Sequence, residues 1–114
     1  MNTFAEFQCL GRVGKIKQVG NVMIVSVAAE YGKRDATGDF QSNTFWNDVT
    51  IFKESTAKWI SENINPGDLV HTRGTIRSTQ YEKGNGEKAY GTTLAASEFS
   101  LLAKKQDKPE ENQN

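Results

Sequence analysis

Ser55-Thr56-Ala57-Lys58-Trp59-Ile60-Ser61-Glu62-Asn63-Ile64, followed at once by Asn65-Pro66-Gly67, is the one stretch of this 114-residue chain that reads as a helix. Ala57, Ile60 and Ile64 recur at spacings of three and four, which is one helical face. Ser55 is the candidate N-cap. Pro66 cannot continue a helix, and Gly67 permits the turn that leaves it. Trp59, beside Ile60, reads as a core side chain that plugs one end of the fold.

Everything around this helix reads as strand. Residues 44–52 (TFWNDVTIF) precede it and residues 68–79 (DLVHTRGTIRST) follow it, both rich in β-formers. Residues 22–29 (VMIVSVAA) are apolar on both faces, as a central strand is. Residues 4–13 (FAEFQCLGRV) and 89–102 (AYGTTLAASEFSLL) make the first and last strands. Glycine and aspartate place long loops at residues 32–43 and 82–88. Five strands with one short helix between the third and fourth is the order of an all-β OB-fold, a small Greek-key barrel. Gly74 inside the fourth strand suits a bend where a side chain would obstruct closure, and Gly11 and Gly14 suit the same role in the first.

Length and composition bound the rest. One domain fits, spanning residues 1–103. From Lys104 the chain reads KKQDKPEENQN, without an apolar side chain, and residues 104–114 are expected to be a disordered polar tail. Fourteen basic residues balance fourteen acidic ones, so a polycationic nucleic-acid binder is excluded. The single Cys9 rules out an internal disulfide and reads as a small buried hydrophobe. His71 is the only histidine, so neither a metal nor another cofactor is expected. No run approaches the roughly 18 apolar residues of a membrane span, and the start lacks a signal-peptide pattern. A cytoplasmic location is the expectation. No Ser/His/Asp order, nucleophile elbow or P-loop is present, and an enzyme is not expected.

The third strand carries the chemistry. Side chains alternate faces with period two. Phe45, Asn47, Val49 and Ile51 read as the core face. Trp46, Asp48, Thr50 and Phe52 read as the solvent face, because Asp48 and Thr50 fit a core poorly. Two aromatics are thereby exposed. Tyr31 ends the second strand and Tyr81 the fourth, each at a long loop. Lys33, Lys53, Arg73, Arg77, Lys83 and Lys88 interleave with them. Arg73, Arg77 and Tyr81 share one face unless a bulge at Gly74 breaks the register. Aromatics among basic residues suit single-stranded nucleic acid, because every unpaired base has a π-face and each stack is worth roughly 1–3 kcal/mol. Lysine and arginine meet the phosphates.

These residues also carry a resemblance. Thr44-Phe45-Trp46-Asn47-Asp48-Val49-Thr50-Ile51-Phe52-Lys53, the Pro66-Gly67-Asp68 turn, Gly74-Thr75-Ile76-Arg77, Ala89-Tyr90-Gly91-Thr92-Thr93 and Arg34-Asp35-Ala36-Thr37-Gly38-Asp39 resemble the bacterial and phage single-stranded DNA-binding protein family. The resemblance spans most of residues 4–102. It implies non-sequence-specific binding of single-stranded DNA that protects exposed strands in replication, recombination or repair. It places base stacking on Tyr31, Trp46, Phe52 and Tyr81 and a strand contact on Arg77, and it implies a homotetramer or homodimer. The chain departs from the family at Asn47-Asp48, where a His-Arg pair is common, at Tyr31 and Tyr81, where Trp is common, and at Thr79, where the family carries a second arginine. The tail ends Asn112-Gln113-Asn114 without the family's hydrophobic tip, so tail-mediated recruitment of replication proteins is not expected. A short divergent chain of this kind suits a phage or mobile element. Two other readings stay open: an OB module that binds protein in a primosome-type assembly, and a binder of single-stranded RNA.

Overall fold

The computed structural model describes residues 2–106. Its elements are β1 (Glu6–Val19), β2 (Val22–Arg34), β3 (Phe40–Ile51), α1 (Glu54–Asn63), β4 (Leu69–Glu82) and β5 (Lys88–Ala103). The strands close into a barrel in the order β1-β2-β3-β5-β4. Every pairing is antiparallel except β3 with β5, which meet in parallel at Val49–Leu94 and Thr50–Ala95. This is the OB-fold read from the order of elements.

The barrel closes because β1 serves two partners. Residues 6–12 pair with β4, and residues 12–19 pair with β2. Gly11 and Gly74 make the crossings possible. A Cβ at Gly11 would stand 2.8 Å from the carbonyl carbon of Ala28, and one at Gly74 would stand 2.8 Å from the carbonyl carbon of Ala95. Backbone fills the space a side chain would need. The register break at Gly74 takes its extra residue from β5: one step from Arg73 to Gly74 is matched by two from Glu98 to Ala96. The alternation of β4 therefore runs on unbroken. In β1 the extra residue lies between Val13 and Ile16, where the Lys15 N–H donates to Ser26 Oγ at 2.8 Å. A side chain thus replaces the ladder partner that the bulge removes.

Valines and isoleucines fill the interior. Val25, Val27, Val49, Ile51, Ile60 and Val70 are buried, with Phe7, Cys9, Met23 and Ile64 around them. Burial pushes the Cys9 thiol pKa up. Ile60 is the buried residue of α1, Ile64 at its C-cap is buried beside it, and Ala57 packs against the same cluster. Two details of the helix differ from expectation. Lys53, not Ser55, occupies the N-cap position, and no side chain caps the turn. The first helical bond runs from the Ala57 N–H to the Lys53 carbonyl, so the chain turns directly out of β3. Trp59 is not in the core but 38% exposed. One residue from Ile60 it lies about 100° round the helix, off the narrow apolar stripe.

The two hairpins are longer than the sequence suggests. Residues 32–34 and 40–43 are strand, leaving residues 35–39 as the connection. Both tips are built alike. Asp35 N–H bonds the Asp39 carbonyl while Gly38 N–H bonds the Asp35 carbonyl; Lys83, Glu87 and Gly86 repeat the pattern. Gly38 and Gly86 have φ of 88° and 87°, the left-handed residue that such a turn requires. The Thr37 hydroxyl, donating to Asp35, holds that carboxyl below its ordinary pKa.

Structure extends past the compositional break at Lys104. Asp68 is 1% exposed and accepts from the Asn65 N–H, the Lys104 ammonium and the Lys105 N–H at 2.8–3.0 Å. Lys104 also donates to the Asn63 carbonyl. Lys104 and Lys105 are therefore tied to the barrel; residues 107–114 lie outside the described residues, and the tail expectation for them with it. Burial alone would raise the Asp68 pKa, but these three donors hold it below the ordinary 3.8. The carboxylate then contributes stability fully above that value and loses it as pH falls through the folded pKa. Asp68→Ala is expected to cost about 3 kcal/mol at neutral pH, since it orphans two backbone donors and a lysine contact. Urea midpoints at pH 7 and below the ordinary carboxylate range check this. The gap between variant and wild type should narrow on acidification; a constant gap would mean the charge is not what stabilises the turn.

Candidate functional site

The outer side of the barrel is built by the even positions of β3 and the odd positions of β4. In β3, Val49 and Ile51 point inward and Asp48 outward, as the alternation predicts. Trp46 shares the outward face and is 60% exposed. Its ring does not stand off the sheet. A Cβ on Gly14 of β1, two strands away across β2, would lie 2.8 Å from Trp46 Cη2, so the indole reaches over β2 and rests in the space that Gly14 leaves. Glycine beneath the aromatic supports the ring and leaves its other side to solvent.

A second cluster lies at the far end of β3. Phe52, just past the strand, is 51% exposed, and the Arg77 guanidinium sits 5.8 Å from its ring centroid. That geometry is a cation–π contact. Arg77 Nε also donates to Thr75 Oγ1 at 3.1 Å. Tyr81 follows on the same face of β4, over Gly91 of β5, whose Cβ would meet Tyr81 Cε1 at 3.6 Å. Trp46, Phe52, Arg77 and Tyr81 thus share the outer side across β3, β5 and β4.

Tyr31 does not join them. It pairs with Asn43 on the inward parity of the β2–β3 hairpin, where the hairpin has run beyond the barrel. There it meets Phe45 edge to face, with centroids 5.8 Å apart at 62°. Phe45 is consequently exposed, not core as its parity suggested. Tyr90 is exposed on β5.

The basic residues divide similarly. Arg73 shares the face of Arg77 but is flanked by Glu6 at 3.7 Å and Glu98 at 3.8 Å. Lys53 stands beside Phe52 at the start of α1. Lys33 shares the face of Tyr31. Lys83 lies in the β4–β5 tip, and Lys88 pairs with Glu82 on the face opposite Tyr81. Arg34, opposite Phe40 in the β2–β3 ladder, is a cation on the Trp46 face that the sequence reading left out of the site. Its Nη1 donates to the Gly38 carbonyl at 2.9 Å. His71 bonds Gln8 at 2.6 Å, and among the described residues no three of His, Cys, Asp and Glu gather as a metal site.

Residues 5–102 match the Single-strand binding protein family. The chain is 30% identical over 114 residues to single-stranded DNA-binding protein 1 of Xylella fastidiosa, covering 94% of this chain and 83% of that one. Among solved structures it resembles a Plasmodium falciparum SSB in complex with single-stranded DNA, with a TM-score of 0.72 and 20% identity over 90% of this chain and 97% of that one. It also resembles a mitochondrial single-stranded DNA binding protein from S. cerevisiae, with a TM-score of 0.66, 21% identity and coverages of 90% and 99%. These structural likenesses bear on the fold.

Proposed function

The chain belongs to the single-strand binding protein family, and we propose that it binds single-stranded DNA without regard to sequence, protecting exposed strands during replication, recombination or repair. It is a binding protein, not an enzyme. The observation that carries this reading is the outer face shared by Trp46, Phe52, Arg77 and Tyr81, three exposed rings with a guanidinium set against one of them, Phe52. Trp46, Phe52 and Tyr81 stack bases along this face, and Tyr31 stacks one on the other side of the β2–β3 hairpin. Lys33, Lys53, Arg77, Lys83 and Lys88 meet phosphates, and Arg73 does so in competition with Glu6 and Glu98. A track of stacked rings suits a chain with no net charge, because stacking is far less salt-dependent than phosphate contact.

Residues 1–103 are the binding domain of this reading, acting as a homodimer or homotetramer. The free second edge of β1 over residues 6–11, with exposed Leu10 on it, favours pairing between copies. A cytoplasmic site of action fits; among the described residues no helix is long and apolar enough to cross a membrane.

Titration of intrinsic tryptophan fluorescence with oligo-dT at several salt concentrations tests the reading. Quenching with salt-weakened affinity is the expected result. Arg77→Gln should shallow the salt slope by about 0.7, one single-strand phosphate contact. A folded protein that neither quenches nor shifts the oligomer in a gel would overturn the proposal. An unchanged slope would remove Arg77 from the phosphate contacts.

A further inference from the structure

Phe40 has no part in the core and none in the residues assigned above. It opens β3, beside the hairpin tip, and is 63% exposed. Its ring is nonetheless fixed. A Cβ on Gly32 would lie 2.6 Å from Phe40 Cε2 and 2.9 Å from Cε1, so the ring occupies the space above Gly32 as Trp46 occupies that above Gly14. The pairing of β2 with β3 runs without a register break from Met23–Ile51 to Arg34–Phe40. Phe40 and Trp46 therefore point to the same side of the hairpin, six residues apart, which is about 20 Å along a strand. Ser42 and Thr44 share that face between them and are small; Glu30, opposite Thr44 and accepting from its hydroxyl at 3.4 Å, is the one acidic group on this stretch, and a strand stacked on both rings passes it. Arg34 stands directly opposite Phe40, held at the tip by its bond to the Gly38 carbonyl.

We propose that Phe40 is a further base-stacking position, with Arg34 as its phosphate contact, extending the DNA track from Trp46 to the tip of the β2–β3 hairpin. This rests on the single-stranded DNA reading above and adds length to it. A ring seated on glycine loses little side-chain freedom when a base stacks on it, because it is already held. An aromatic needed only to cover Gly32 would strengthen the hairpin and leave affinity alone.

The test is a ladder of dT oligomers, from about 4 to 16 nucleotides, the range of site sizes for such folds, read by anisotropy at one salt concentration. Phe40→Ala, with an unfolding midpoint like that of the wild type, is expected to bind the long oligomers about five- to 150-fold more weakly. It should lose far less affinity for the shortest oligomers, which can bind at Trp46, Phe52 and Tyr81 without reaching the hairpin tip. Phe40→Trp should keep the affinity and add a fluorescence signal that the long oligomers quench. Wild-type affinity of Phe40→Ala at every length, with Trp46→Ala weakened, would overturn this inference and leave the broader reading in place. Wild-type protein that binds no oligomer of any length would overturn both.

Discussion

Gly74→Ala is expected to destabilise the barrel by about 3 kcal/mol, the upper end of what overpacking costs. The new methyl would meet main chain, not side chain: the Ala95 carbonyl and Ala96 Cα, the latter at 2.8 Å. Main chain at that point cannot rotate away, because Gly74 sits where β5 has already inserted its extra residue to follow the curve. Relief must come from separating β4 and β5 beside Thr72, which is fully buried and bonded to the Glu98 carbonyl at 2.7 Å. Gly84→Ala is the control, since nothing lies within 4 Å of its Cβ; it should stay within about 0.5 kcal/mol of wild type. Urea unfolding with a common slope reads both. A Gly74→Ala midpoint close to that of Gly84→Ala would mean that β4 and β5 do not approach as closely as described.

Gly74 was also legible in the sequence, and the reason shows where such legibility stops. A glycine within a run of β-formers has few explanations, and the helix with its Pro-Gly stop fixed the order of elements. Parity told which side of β3 faces the core, but not where the core ends. Val49 and Ile51 lie inside the barrel, whereas Phe45, on the same face, lies past its rim in solvent beside Tyr31. The strand over residues 40–43 was missed because both its faces are exposed, so no hydrophobic alternation marks it. The anchoring of Lys104 has no local signal at all: its partner, Asp68, is 36 residues earlier. Among site residues, parity read Trp46 and Phe52 onto one face of β3 and Arg73, Arg77 and Tyr81 onto one face of β4; that both faces are the outer side of the barrel comes only from the strand order. Tyr31 was not separable from them, because its face depends on the hairpin's register. The ring-on-glycine pairs need that register too. Gly14 and Trp46 are 32 residues apart in sequence and meet only once β1 and β3 have both paired with β2.

Trp46→Ala is expected to weaken binding of oligo-dT by about 1–3 kcal/mol at fixed salt, roughly five- to 150-fold. The indole is a large, flat surface whose inner side is already covered at Gly14 and whose outer side is open. Stacking a base there removes apolar area from water on both partners and orders little that was loose. Its loss should spare the fold, because Trp46 belongs to no part of the buried cluster; the unfolding midpoint should move little. Trp46→Phe keeps a smaller ring in the same seat and should recover part of the affinity. The salt slope should be unchanged in both variants, since no phosphate contact is removed, which separates this outcome from that of Arg77→Gln. The fluorescence left in Trp46→Ala comes from Trp59, off the outer sheet face on α1, and oligo-dT should quench it weakly. If Trp46→Ala binds as tightly as wild type while remaining folded, the base-stacking role passes from Trp46 to the Phe52–Arg77–Tyr81 cluster alone.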